Sequence, residues 1–311
     1  MKPVRVAKWL MKLSERHPVP PDREIGDLGE IFQHPVFVNG TPHERREILW
    51  KSSLVKFGAE TTTPWDPFFG RPLAPFLKGK TVLDLGCATG GRSVAWLERY
   101  QCARLIGIDI TPHYIDAARQ FADARGAAAR FAVAQSEALP FRSGSFDAIL
   151  SCDVFEHVQS VESTLRECHR VLREGGRLFV AFPSFYHPLD HHLNLVTNFP
   201  AIHYFFAPRV LVRAYAEIID ERGEAAKWYR RSPTLEPWER GNTINGVTAR
   251  RLRRMLSRMD WVVLHRGRVP IGRTISRRRF FRPFDLALHA LAAVPVLDDF
   301  VVNRIAYILE K

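Results

Sequence analysis

Apolar positions in this chain recur with two different periods, and the places where the period switches mark out its elements. From about residue 80, short β-branched or apolar runs alternate with helical patterns. The runs 81–85, 104–110, 130–134, 146–151 and 177–182 read as strands. Strands separated by helices call for βαβ units and a parallel sheet. After the second run, Thr111-Pro112 supplies a cap and a first-turn proline, and Gly126 supplies a stop. Val161, Leu165, Cys168 and Leu172 share one face of a further helix, closed by Gly175-Gly176. Past Pro183 the sequence turns aromatic and histidine-rich, then gives a helix over 248–259 and strands over 261–265 and 304–309. Five alternating units, a long insertion and two final strands make one α/β sheet with an added cap.

Composition adds few constraints and one puzzle. With 311 residues, 46% hydrophobic and 25% charged, the chain has an ordinary globular balance. No window approaches the roughly 18–20 apolar residues of a membrane span. The start, with Lys2, Arg5, Lys8 and Lys12, lacks the apolar core of a signal peptide, so the default expectation is cytoplasmic. Cys87, Cys102, Cys152 and Cys168 form no CxxC pair and read as reduced thiols without a zinc site. The puzzle is charge: twelve arginines and one acid, Asp260, lie between Arg250 and Arg282, which places +11 of the net +12 there.

The chemistry begins at Val82-Leu83-Asp84-Leu85-Gly86-Cys87-Ala88-Thr89-Gly90-Gly91. A glycine turn after an apolar strand lets backbone approach a ligand, and the next helix presents free N–H groups to it. Alone, this fits a dinucleotide site too, although Ala88 breaks the G-x-G-x-x-G pattern. Asp109, 25 positions beyond Asp84, ends the second strand in an acid suited to two ribose hydroxyls. Three further segments discriminate: Gln135 to Phe141 with Ser145-Phe146-Asp147, then Asp153 to Val158, then His169 to Leu178. Together these five elements resemble the class I S-adenosylmethionine (SAM)-dependent methyltransferase family over roughly residues 78–184.

The resemblance implies a Rossmann-like, seven-stranded, mostly parallel sheet. Its parts are an N-terminal helical lid (1–78), a SAM-binding core (79–184), a substrate-side cap (185–255) and final strands with an arginine-rich insertion (256–311). It implies SAM as cofactor, with Asp84, Gly86 and Gly90 around the methionine part, Cys87 a cofactor contact in the same turn, Asp109 on the ribose and Ile110 against adenine. Ser136 or Glu137 then lies near the adenine amine, the polar contact to adenine comes from the Gln135 amide or from backbone, and Asp153 completes the set. Gln135 stands where the family often has Asp.

Methyl transfer needs alignment and exclusion of water more than a particular residue. A base helps when the nucleophile carries a proton, and Glu156, His157 and His191 are the candidates. His187 and His191 at i and i+4 raise a metal hypothesis, outweighed by a plain polar loop because no acidic ligand set accompanies them. Phe199, Tyr204, Phe205 and Phe206 read as core of the cap rather than pocket lining, with a hydrophobic acceptor site as the alternative. The arginines admit three readings: a phosphate-bearing acceptor, an anionic membrane surface met by the 273–297 region, or RNA. RNA ranks last, since no RNA-binding module accompanies the tract. The expected activity is methyl transfer to a small-molecule or lipid-like acceptor, releasing S-adenosylhomocysteine. The alternatives are an RNA methyltransferase and a non-catalytic SAM-binding protein.

Overall fold

Near-continuous burial along the strands Thr81–Leu85 and Phe146–Cys152 and the second half of Leu172–Phe182 shows that both faces of the sheet are covered. In β1 (Thr81–Leu85), Val82 faces one layer and Leu83 and Leu85 face the other, all fully buried. The computed structural model describes residues 2–15, 40–62, 64–186, 193, 196–223, 245–270, 285–294 and 297–311. The remaining strands are β2 (Arg104–Asp109), β3 (Ala129–Val133), β4 (Phe146–Cys152), β5 (Leu172–Phe182), β6 (Val262–Pro270) and β7 (Val302–Glu310). Their order is β3-β2-β1-β4-β5-β7-β6, with β1 to β5 parallel and β7 antiparallel to both neighbours. The expected seven-stranded, mostly parallel sheet is therefore present.

Helices α4 (Gly91–Tyr100) and α5 (Pro112–Ala124) follow β1 and β2, and α6 (Val161–Val171) follows β4. Leu83, Ile149, Leu178 and Leu309 pack against Leu165 and Cys168 of α6 and against Leu252 and Leu256 of α9 (Ala249–Leu256). Val82, Leu150, Phe179 and Ile308 pack on the other face against Trp96 and Tyr100. Crossovers leave β1 toward β2 on one side, while β4 lies on the other. The crevice of such a sheet opens at the carboxyl ends beside that switch.

Several boundaries differ from the periodicity, each for a local reason. The Thr111 side chain makes no capping bond; its N–H instead donates to Asp109 Oδ1 at 2.9 Å. Gly175-Gly176 does not close α6, which ends at Val171. The pair sits inside β5, where Phe146 pairs with Leu172 but Ala148 pairs with Arg177, so the extra residues bulge outward. Helix α9 is shorter than 248–259, because Thr248 is its cap, accepting from Arg251 N at 3.1 Å, and Ser257 ends it.

The N-terminal helices separate by partner. In α1 (Lys2–Leu13), Ala7 and Met11 are buried against Leu211, Tyr215 and Ile218 of α8 (Pro208–Glu221). Lys8 and Lys12 pair with Glu221 on the same seam. Helix α2 (Pro42–Thr62) packs on the sheet's own helices instead: Ile48 and Leu49 meet Tyr114 and Ala117 of α5. Residues 245–255, grouped with the cap by sequence, pack into the main core through Val247, Ala249 and Leu252. The short α3 (Ala74–Leu77) precedes β1, and α7 (Ile202–Phe205) precedes α8. Late in the chain, α10 (Asp285–Ala293) and α11 (Asp298–Val301) precede β7. Leu286 is 87% exposed on α10. Among the described residues, no helix is long and apolar enough to cross a membrane.

Candidate active site

The turn after β1 is stitched to β2, because the N–H groups of Gly86 and Cys87 both donate to the Ile108 carbonyl at 2.9 Å. Gly86 has φ +80°, and a Cβ there would lie 2.2 Å from Val154 Cγ2. Glycine is thus demanded twice at this position, by the left-handed backbone and by the neighbour from the β4 loop. Gly90 caps α4, and a Cβ on Gly91 would meet the Ser53 carbonyl oxygen at 2.0 Å. Helix α2 is seated directly on the turn. Ser53 Oγ donates to Thr89 O at 2.8 Å, which fixes the contact.

Asp109 ties three pieces together. Its Oδ2 accepts from Ala88 N at 3.1 Å in the glycine turn, and its Oδ1 accepts from Thr111 N at the start of α5. A carboxylate has about four acceptor sites, and these two backbone groups take one on each oxygen. Burial raises its pKa. Ile110, just past the strand end, is 68% exposed, an apolar surface beside the carboxylate. Asp84 lies deeper: it is buried, accepts from the Ser93 hydroxyl at 2.5 Å, and burial pushes it up to about 6.

The β4 end supplies the opposite wall. Asp153 has φ +59°, and its carboxylate lies 3.0 Å from Arg304 Nε. Glu156 is buried, with Oε1 3.8 Å from Nε2 of the more exposed His157. Asn245 holds this loop: its Nδ2 donates to the carbonyls of Phe155 at 2.6 Å and Val158 at 2.8 Å. Cys87 and Cys152, like Cys102 and Cys168, are buried free thiols, and burial raises Cys87 and Cys152 well above the ordinary thiol range.

In the β3–β4 loop the three expected residues part company. The Glu137 carboxylate accepts from the Gln159 amide at 2.7 Å and from the Ser136 hydroxyl at 2.9 Å. Ser136 is 8% exposed and also bonds Thr164 Oγ1, so both residues spend their polar atoms on the start of α6. Gln135 is the exposed member.

His187 and His191 lie outside the described residues. His203 bonds the Phe185 carbonyl at 3.1 Å within an aromatic group in which Tyr186 stacks on Phe300 at 5.1 Å and meets Tyr204 at 5.7 Å. Phe199 and Phe206 pack against the α1–α8 seam as expected, but Phe205 is 70% exposed. It lies on a four-residue helix whose other apolar member, Ile202, takes the buried position.

One group was missed by the sequence reading. Glu60, at the end of α2, is 2% exposed, lies 3.8 Å from Arg92 Nε, and is pushed up to about 7 by burial. Arg92 stacks 4.8 Å from the Trp65 ring centroid and donates to Cys152 O at 3.3 Å, linking α2 to the β4 end. Gly91 was the available signal: a second glycine opening a helix marks a close backbone neighbour.

Comparisons with known proteins fit this geometry. Residues 83–180 match a family model described as a methyltransferase domain. A demethylmenaquinone methyltransferase of Thermus thermophilus is 41% identical over 101 residues, 32% of this chain and 46% of that protein. A ubiquinone biosynthesis O-methyltransferase of Methylocella silvestris is 35% identical over 120 residues, 38% of this chain and 44% of that protein. A norajmaline N-methyltransferase of Rauvolfia serpentina is 34% identical over 110 residues, 34% of this chain and 37% of that protein. Each match spans less than half the relative's length. Among solved structures, an S-adenosylmethionine-dependent methyltransferase from Mesorhizobium loti shares the fold with TM-score 0.50 and 15% identity, covering 76% of this chain and 93% of that one.

Proposed function

We propose, from the premise that residues 83–180 are a class I SAM-dependent methyltransferase domain, that the chain methylates a small-molecule acceptor and releases S-adenosylhomocysteine. SAM supplies an electrophilic methyl group on a sulfonium. The observation that carries the reading is Asp109, whose carboxylate anchors the glycine turn and the next helix while keeping acceptor capacity for ribose hydroxyls. Exposed Ile110 offers the adenine an apolar face, and Gly86 leaves the space that a Cβ would fill. Asp84, Cys87, Gly90 and Asp153, on β1, the glycine turn and the β4 end, are the remaining contacts in this reading. With Ser136 and Glu137 committed to α6, the polar contact to adenine falls to Gln135 or to backbone groups of that loop.

His157 is the proposed base. It sits exposed on the β4 loop, where it accepts a proton from the acceptor, and the Glu156 carboxylate at 3.8 Å favours the resulting imidazolium. Asn245 positions both by fixing the loop carbonyls on either side. The aromatic group Phe185, Tyr186, Tyr204 and Phe300 follows the carboxyl end of β5 and supports an apolar, lipid-like acceptor, since aromatic faces bury flat apolar molecules without demanding polar partners. Relatives named for ubiquinone and demethylmenaquinone chemistry support the same class.

Calorimetric titration tests the cofactor assignment. S-adenosylhomocysteine binds and NAD does not; Asp109→Ala weakens the former at least tenfold with unchanged circular dichroism. Binding of NAD without S-adenosylhomocysteine would overturn the reading.

A further inference from the structure

Helix α9 and the turn after it carry two kinds of arginine. Arg253 faces inward, and its Nη1 lies 2.6 Å from Oδ2 of buried Asp298, which Arg266 of β6 also meets at 2.9 Å. Arg251, Arg254 and Arg258 lie on the other side at i, i+3 and i+7. They are exposed, and among the described residues no carboxylate pairs with any of them.

These three line a cavity of about 330 Å³ together with Ser160, Glu162 and Asn245. Among the described lining residues Glu162 is the one acid, and its Oε1 is already held by Arg166 Nη2 at 2.7 Å. Arg251 donates one bond to the Asn245 carbonyl at 3.2 Å, leaving most of its five N–H donors for another partner. It also stands in the first turn of α9, where the helix dipole disfavours a cation. Like charges at this spacing repel. Inward-facing Arg253 has a carboxylate built for it; the outward three have a concavity.

We propose that this cavity binds the phosphoryl group of a small phosphorylated molecule. Guanidinium forks match phosphate oxygens two at a time, which a single lysine cannot do. The volume is near the lower end of small-molecule sites and exceeds what a bare phosphate fills. Val161 and Met255 give the organic part an apolar wall. None of the lining residues belongs to the glycine turn, to Asp109-Ile110 or to Glu156-His157, so the site is separate from the proposed cofactor site. It is nonetheless connected to the proposed base: Arg251 holds Asn245, and Asn245 holds the carbonyls flanking Glu156-His157.

The test is calorimetric titration of the full chain at low salt with glycerol 3-phosphate, pyrophosphate and inorganic phosphate. Saturable one-to-one binding is expected, weakened at least tenfold in the double variant Arg254→Gln/Arg258→Gln. Arg254→Lys/Arg258→Lys, which keeps the charge but loses the forks, falls between. Both arginines are exposed, so melting temperature and S-adenosylhomocysteine affinity stay unchanged. Tighter binding of glycerol 3-phosphate than of inorganic phosphate supports an organophosphate ligand, and the reverse order supports free phosphate at the same arginines. Equal affinity in wild type and the glutamine variant would overturn the site, as would binding that matched chloride abolishes. Failure of S-adenosylhomocysteine to bind would count against the methyltransferase reading alone.

Discussion

Gly86 concentrates the demands of the glycine turn in one position. Gly86→Ala places a Cβ 2.2 Å from Val154 Cγ2 on a left-handed backbone. The backbone alone costs about 1–2 kcal/mol, and overpacking costs roughly 1–3 kcal/mol more. A lower melting temperature with loss of S-adenosylhomocysteine binding is expected, measured by thermal denaturation and calorimetry. Glu60 makes a pH prediction. Below about 4.5 it is protonated in both folded and unfolded chains, so burial carries no penalty there. As pH rises from 4.5 toward 7, the unfolded chain ionises while the folded one holds its proton, so stability falls and then levels off above about 7. Glu60→Gln flattens that fall, by up to about 3 kcal/mol, read from urea midpoints at pH 4.5 and 8. A midpoint difference identical to wild type would contradict the assignment. At this scale the sequence singled out Asp84, Gly86 and Asp109 as candidates, because strand ends and glycines carry local signatures. It did not disclose Glu60, which becomes chemical only through the packing of α2 on Gly91.

Among elements, α9 depends on carboxylates from far along the chain. Asp299 Oδ1 accepts from Ala249 N and, at 3.0 Å, from the Ser184 hydroxyl, so a residue 50 positions later caps the helix start. Asp298 neutralises Arg253 and Arg266 between α9 and β6. Asp298→Ala leaves two half-buried guanidinium groups facing each other. The expected loss is about 2–3 kcal/mol, below the fully buried range because both arginines retain some solvent, measured as a shift in urea midpoint with unchanged m-value. Helix existence and type were readable from period and turn residues, since those signals are local. Ends were less so: the α6 terminus depended on a bulge against β4, and α9 stops at Ser257, short of 259. Of the arginine tract, the sequence showed the charge but not its division into inward and outward sets, which requires knowing where Asp298 lies.

Across the whole molecule, the parallel core was legible because its strands alternate with helices in order. The partner of α1 was not, since α1 and α8 lie about 200 residues apart in sequence. Removal of residues 1–15 exposes Leu211, Tyr215 and Ile218. Hydrogen exchange then quickens over residues 208–221 and stays slow in β1, β4 and β5, because the seam and the sheet have separate cores. Loss of protection in β1 as well would show that the two cores unfold as one. The central claim concerns transfer itself, and incubation with methyl-labelled SAM and a small-molecule extract tests it most directly. The account predicts label in an organic-soluble product, abolished by Asp109→Ala and slowed by His157→Ala; S-adenosylhomocysteine binding with no label in any acceptor would contradict it.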